Sequence, residues 1–123
     1  MKRLLVVLLL CSASISVFGQ SDGVKLLQRC ELAVKYFDHE LLNPNDMWRA
    51  GFCIGYVAAV EQTDFAYKRS GDKTQPHLCI PQGADIEQGV RVVLKWLQTH
   101  PAKLHFSPAA LVGSAMIEAY PCT

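Results

Sequence analysis

The 123-residue chain contains no Cys-x-x-Cys pair, no His-Glu-x-x-His, no Gly-x-Ser-x-Gly and no glycine-rich phosphate loop. The first two absences remove the usual zinc spacings, and the others remove a nucleophile elbow and a nucleotide cradle. Charge of one sign is also lacking. Twelve basic and eleven acidic residues are scattered along the chain, so there is no basic nucleic-acid face and no acidic tail. No low-complexity tract and no internal repeat is visible. At 50% hydrophobic residues the chain is too apolar for disorder. It is too short for a complete dinucleotide fold or a kinase, and its length fits one domain of about 100–150 residues.

The one long hydrophobic run lies at the N-terminus. Lys2 and Arg3 precede the unbroken apolar stretch Leu4 to Leu10, and Val17-Phe18-Gly19 follows with a small residue at the end. This is the pattern of a secretory signal peptide cleaved after Gly19. The run falls short of the roughly 20 apolar residues of a membrane span. Leu10 before Cys11 argues against a lipoprotein site. The expected division is therefore a signal over 1–19 and a single domain over 20–123. Loss of Lys2 and Arg3 takes the net charge from +1 to −1, so long-range electrostatic steering is not expected.

Cys11 leaves with the signal, and Cys30, Cys53, Cys79 and Cys122 remain. An even number of cysteines in a small exported domain reads as two disulfides in an oxidising compartment. Four cysteines allow three pairings. We favour Cys30–Cys122 with Cys53–Cys79, which would tie the chain ends and close the longest polar loop. Cys30–Cys53 with Cys79–Cys122 stays open, since each bond would then pin one helical hairpin.

Helical periodicity dominates the rest. Residues 22–41 carry Leu27, Cys30, Val34, Phe37 and Leu41 on one stripe. After Asn43-Pro44-Asn45-Asp46, with Asn45 or Asp46 as cap, residues 46–64 read as a second helix whose interior is nearly free of charge. Gly51 and Gly55 each cost about 1 kcal/mol there. Their spacing predicts close approach of another helix, which makes this the central buried helix. Residues 65–80 have almost no apolar periodicity and read as a long surface loop. Residues 85–99 read as a third helix, with Asp85 and Gln88 as a capping pair and Ile86, Val90, Val93 and Leu97 buried. His100-Pro101 ends it. Ser107-Pro108 opens a fourth, with Leu111, Val112, Ala115, Met116 and Ala119 inward and Pro121 as the stop. The expected fold is all-α, a small disulfide-stapled bundle of about four helices.

No catalytic residue, metal or cofactor is expected. His39 lies between Asp38 and Glu40, but neighbours at i±1 do not face each other on a helix. His77 sits near Cys79, but that cysteine is assigned to a disulfide. His100 at a helix C-terminus is explained by capping and the dipole. A cysteine nucleophile needs a free thiol, which the even count denies. Binding is what remains. Trp48, Tyr56, Tyr67, Trp96, Phe106 and Tyr120 are the candidate anchors, mostly consumed by the core, with Tyr67 expected to be exposed in the loop.

Several elements in order resemble a known family. They are Cys30 in the first helix, Cys53-Ile54-Gly55-Tyr56-Val57, and Cys79-Ile80-Pro81-Gln82-Gly83. Gln88 with Val92-Val93, Leu97 and His100-Pro101 follows, then Leu104-His105, Ala109-Ala110 and Pro121-Cys122. Together, across residues 24–122, the chain resembles the Rap/Tai family of periplasmic immunity proteins, which protect against peptidoglycan amidase effectors of type VI secretion. It departs at Ala58-Ala59, where the family often carries a glycine. The resemblance implies a periplasmic homodimer that occludes a cognate amidase without chemistry of its own. We place its partner surface on the 65–78 loop, at Tyr67, Lys68, Arg69, Asp72 and Lys73. The competing expectations are a periplasmic structural or chaperone-like domain without an effector, and a small secreted hydrolase. No nucleic-acid partner is expected, and no membrane contact once the signal is gone.

Overall fold

The computed structural model describes residues 21–71, 73–74 and 77–123. The signal-peptide reading and Asp72 lie outside them. Four helices, α1 (Asp22–Phe37), α2 (Pro44–Ser70), α3 (Ile86–Thr99) and α4 (Pro108–Ala119), form the expected all-α bundle, with a 3-10 turn at Pro101–Lys103.

Each helix starts on a side-chain cap that relieves an orphan backbone N–H. Ser21 Oγ accepts from Val24 N at 3.4 Å, Asn43 Oδ1 from Asp46 N at 3.0 Å, Asp85 Oδ1 from Gln88 N at 2.9 Å and Ser107 Oγ from Ala110 N at 3.4 Å. The cap of α2 is thus Asn43 rather than Asn45 or Asp46, because Pro44 takes the first helical position, where no N–H is missed. Helix α1 stops at Phe37, short of the expected residue 41. His39 takes a left-handed conformation (φ 61°), and Glu40 N and His39 N donate to Lys35 O and Tyr36 O. This is a Schellman stop made without glycine. Leu41 is left in solvent. The buried stripe of α1 is Gly23, Leu26, Cys30 and Ala33, shifted from the expected one, while Leu27, Val34 and Phe37 pack at its margin.

Helix α2 overturns two expectations. It is not the buried centre, since only Ala50, Cys53 and Val57 are buried on it. The most occluded helix is α3, with Gly89, Val90, Val93, Trp96 and Leu97 inside. A Cβ at Gly51 or Gly55 would meet nothing within 4 Å. The close helix crossing is made instead by Gly89, where a Cβ would come within 3.0 Å of both Val57 and Glu61 of α2. Helix α2 also runs on to Ser70 before Gly71 (φ 74°) ends it, so part of the expected loop is helix. Its 27 residues span about 40 Å. The last turns bury almost nothing and so carry no apolar stripe to read.

The disulfides are Cys30–Cys53 and Cys79–Cys122, the reverse of the favoured pairing. Antiparallel packing of α1 on α2 puts Cys30 opposite Cys53, both fully buried. The second bond ties the end of the chain to residues 77–80, a strap laid across the bundle. In this strap Cys79 N donates to Tyr120 O at 2.9 Å and Leu78 enters the core. Helix α4 buries Leu111, Val112, Ala115 and Met116 as expected, whereas Ala119 stays exposed. Glu118 Oε2 accepts from Trp96 Nε1 at 2.7 Å and joins α4 to α3.

Candidate functional site

Two surfaces stand out once the core is filled. The first is the distal end of α2 with the strap beside it. Asp64 is the joint between them: its carboxylate accepts from Leu78 N at 2.8 Å, pairs with Lys68 Nζ at 2.8 Å and lies 3.5 Å from His77 Nδ1. Lys68 Nζ also donates to Leu78 O. Burial pushes the Asp64 carboxyl upward, but the bonds from Lys68, Leu78 N and His77 outweigh it and hold the group below its ordinary value. Burial without a compensating cation pushes Glu61, one turn earlier, above its ordinary value.

This arrangement sorts the five expected contact residues. Tyr67, Lys68 and Arg69 share the last turns of a helix rather than a loop. Lys68 is turned onto the strap, where it holds Asp64 and Leu78. Arg69 lies over the Phe65 ring at 5.8 Å from its centroid. Tyr67 borders a groove between α2 and α4, floored by Val60, Leu78, Gly113 and Ile117, with a volume of about 470 Å³. Lys73 is exposed beyond the helix end.

The second surface was not foreseen. On the N-terminal half of α2, Met47, Trp48 and Phe52 stand 50%, 69% and 37% exposed. With Gly51, Gly55, Tyr56 and Ala59 they frame a shallow apolar concavity of about 510 Å³. Trp48 meets Phe52 edge to face at 5.1 Å, and the Arg29 guanidinium of α1 lies over the Phe52 ring, 4.4 Å from its centroid. The sequence did hold a signal: Trp48 and Phe52 are four apart and flank Gly51, so one face of the helix carries both the bulk and the gap. Of the six candidate anchors, Trp96 and Tyr120 are buried, Tyr56 is half-buried, and Trp48, Tyr67 and Phe106 are exposed.

The four cysteines of the described residues are all spent in disulfides, which leaves no thiol for nucleophilic chemistry in the oxidised protein. Among the described residues no group of three or more His, Cys, Asp or Glu side chains is placed to hold a metal ion, and no helix is long and apolar enough to cross a membrane. His100 stacks on Trp96 with centroids 4.1 Å apart and its Nδ1 lies 2.8 Å from Trp96 O; His105 Nδ1 lies 3.0 Å from Ala102 O. Both are occupied in closing the α3–α4 connection.

The model of the Rap1a immunity proteins matches residues 22–122. No curated protein sequence and no solved structure gives a significant match. The matched span opens on the first residue of α1 and closes on the cysteine that anchors the strap. It takes in all four helices and both disulfides, and the chain belongs to the family of Rap1a immunity proteins.

Proposed function

We propose that this immunity protein acts in the periplasm as a homodimer. It binds a peptidoglycan amidase effector of type VI secretion and blocks its substrate cleft, without catalysis of its own. The observation that carries the reading is the distal part of α2. Its buried residues end at Val57, yet the helix continues to Ser70 as a stiff, mostly exposed rod. The rod is held to the strap through Asp64, Lys68 and Leu78, and the strap to the chain end through Cys79–Cys122. A projection that is already ordered loses little conformational entropy when it enters a cleft, which favours occlusion as a mechanism. Two disulfides fit an oxidising compartment such as the periplasm, and a signal over residues 1–19 supplies the route there.

The contact residues in this reading are Tyr67, Arg69, Asp72 and Lys73, with Lys68 as the residue that positions the strap and Phe65 as a neighbour under Arg69. The test is the triple variant Tyr67→Ala, Arg69→Ala, Lys73→Ala, titrated against the cognate amidase by calorimetry. Loss of at least about tenfold in affinity, the effect of one well-packed anchor, is the expected result. Unchanged affinity with an unchanged circular-dichroism spectrum would place the contact elsewhere.

A further inference from the structure

The two disulfides share their chemistry and little else. Cys30 and Cys53 are fully buried between α1 and α2, whereas Cys79 and Cys122 are both exposed. Exchange requires a thiolate to reach a sulfur, so the second bond is the one open to attack while the bundle is folded. Its position gives the attack a consequence. It joins the strap at residues 77–80 to the short tail after Tyr120, and Cys122 Sγ lies 3.3 Å from His77 O.

Little else holds the strap. Leu78 is its one buried residue, with Ile80 at the margin of the core. Leu78 N donates to Asp64 at 2.8 Å, Lys68 donates to Leu78 O, and Cys79 N donates to Tyr120 O at 2.9 Å. The Lys68 side chain is 39% exposed, and an ion pair so close to water adds little by itself. The strap in turn supports the end of α2. Beyond Val57 no residue of that helix is buried. Residues 58–70 are of the length, about 12–15 residues, at which a helix without packing is marginal in water. Leu78 also forms part of the groove between α2 and α4 that Tyr67 borders.

We infer that Cys79–Cys122 is a redox latch. A dithiol opens it in the native protein, the strap leaves, and the last turns of α2 lose their support, while the bundle around Cys30–Cys53 stays folded. The exchange is a two-electron reduction. One thiolate of the dithiol attacks a sulfur of the pair, forms a mixed disulfide and expels the other cysteine as a thiolate. The second thiol of the dithiol then displaces the first cysteine. The products are two cysteine thiols and the dithiol as its own disulfide. The inference stands on the fold and not on the effector reading; the latch sets whether the projecting end of α2 is stiff or frayed, a local opening below the global one.

The test has two arms. Residues 20–123 of the chain are treated with dithiothreitol without denaturant, thiols are trapped with N-ethylmaleimide, and the peptides are read by mass spectrometry. Cys79 and Cys122 should be modified at least tenfold faster than Cys30 and Cys53. Hydrogen exchange is then measured on the Cys79→Ser, Cys122→Ser variant, which carries no alkyl group, and on the dithiol-reduced wild type. The amides at positions 66–70, 78 and 79 should exchange at least tenfold faster than in the oxidised chain. The amides of α1 and α3 should stay at least 100-fold better protected than those of the strap. Removal of dithiothreitol and addition of oxidised glutathione should restore both the bond and slow exchange in the wild type. Reduction of the two bonds at equal rates overturns the inference. So do strap amides as slow as in the oxidised chain, and loss of protection in α1 and α3 together with the strap, which would make the bond a staple of the whole bundle.

Discussion

Removal of each disulfide in turn separates two contributions to stability. Cys30–Cys53 closes a loop with sequence separation 23 and Cys79–Cys122 one of 43. On loop-closure entropy alone, the first stabilises by about 3.4 kcal/mol and the second by about 4.0 kcal/mol. If that were the whole effect, Cys79→Ala with Cys122→Ala would be the more damaging pair. Packing reverses the order. Cys30 and Cys53 are fully buried among α1, α2 and the core, whereas Cys79 and Cys122 are exposed. Removing two buried sulfurs adds about 1 kcal/mol each, so Cys30→Ala with Cys53→Ala should lose about 5 kcal/mol. The exposed pair should lose at most about 4 kcal/mol, since little packing goes with it. Urea denaturation of both double variants, without reductant and at one protein concentration, measures the difference. A larger loss for the Cys79/Cys122 variant, by more than 1 kcal/mol, would refute the packing argument. The same exposure means that a small dithiol should open Cys79–Cys122 first in the native protein, read by mass spectrometry after alkylation.

Asp64→Asn should cost about 2 kcal/mol by removing a charge-assisted link between α2 and the strap. Because the folded state lowers the Asp64 pKa, the wild-type contribution is present above the unfolded carboxylate value, about 3.9, and is lost as pH falls through the folded value. The acid limb of melting temperature against pH should therefore be shallower in the variant. Glu61 has the opposite sign: its pKa is raised, so its contribution falls as pH rises from the unfolded value through the folded one. Glu61→Gln should raise the melting temperature at neutral pH and leave it unchanged below about pH 4. Gly23→Ala should destabilise by about 2–3 kcal/mol, because a Cβ would overlap the backbone carbonyl of Leu104. His39→Gly should stabilise by about 1 kcal/mol, since the left-handed residue no longer pays for its Cβ. Both are read by thermal or urea unfolding.

What could be read from the sequence was set by local chemistry. Asp85, Ser107 and Pro108 mark helix starts because a cap needs only residues within one turn. The helical class followed from stripes such as Val90, Val93 and Leu97, and the cysteine count announced two disulfides. The pairing depended on which helices lie side by side, which no local pattern states. The end of α2 was misjudged because residues 62–70 bury almost nothing, and a helix without a buried side has no apolar period. Gly51 and Gly55 were read as a contact inside the molecule. They do form a gap in a helix face, but the helix that crosses α2 does so through Gly89, and the gap looks outward. Tyr67 and Arg69 were proposed as contact residues from the length and polarity of an expected loop, and the structure places both in the last turns of α2. The inward role of Lys68 was hidden, because its partners Asp64 and Leu78 meet only in three dimensions.

The most direct test of the central claim is titration of the proposed partner, a peptidoglycan amidase effector, with residues 20–123 of the chain, following hydrolysis of peptidoglycan. The account predicts that activity falls linearly to zero at a fixed stoichiometry and returns in full when the complex is dissociated. Undiminished hydrolysis at excess immunity protein, or inactivation that persists after separation because the amidase has been covalently altered, would contradict it.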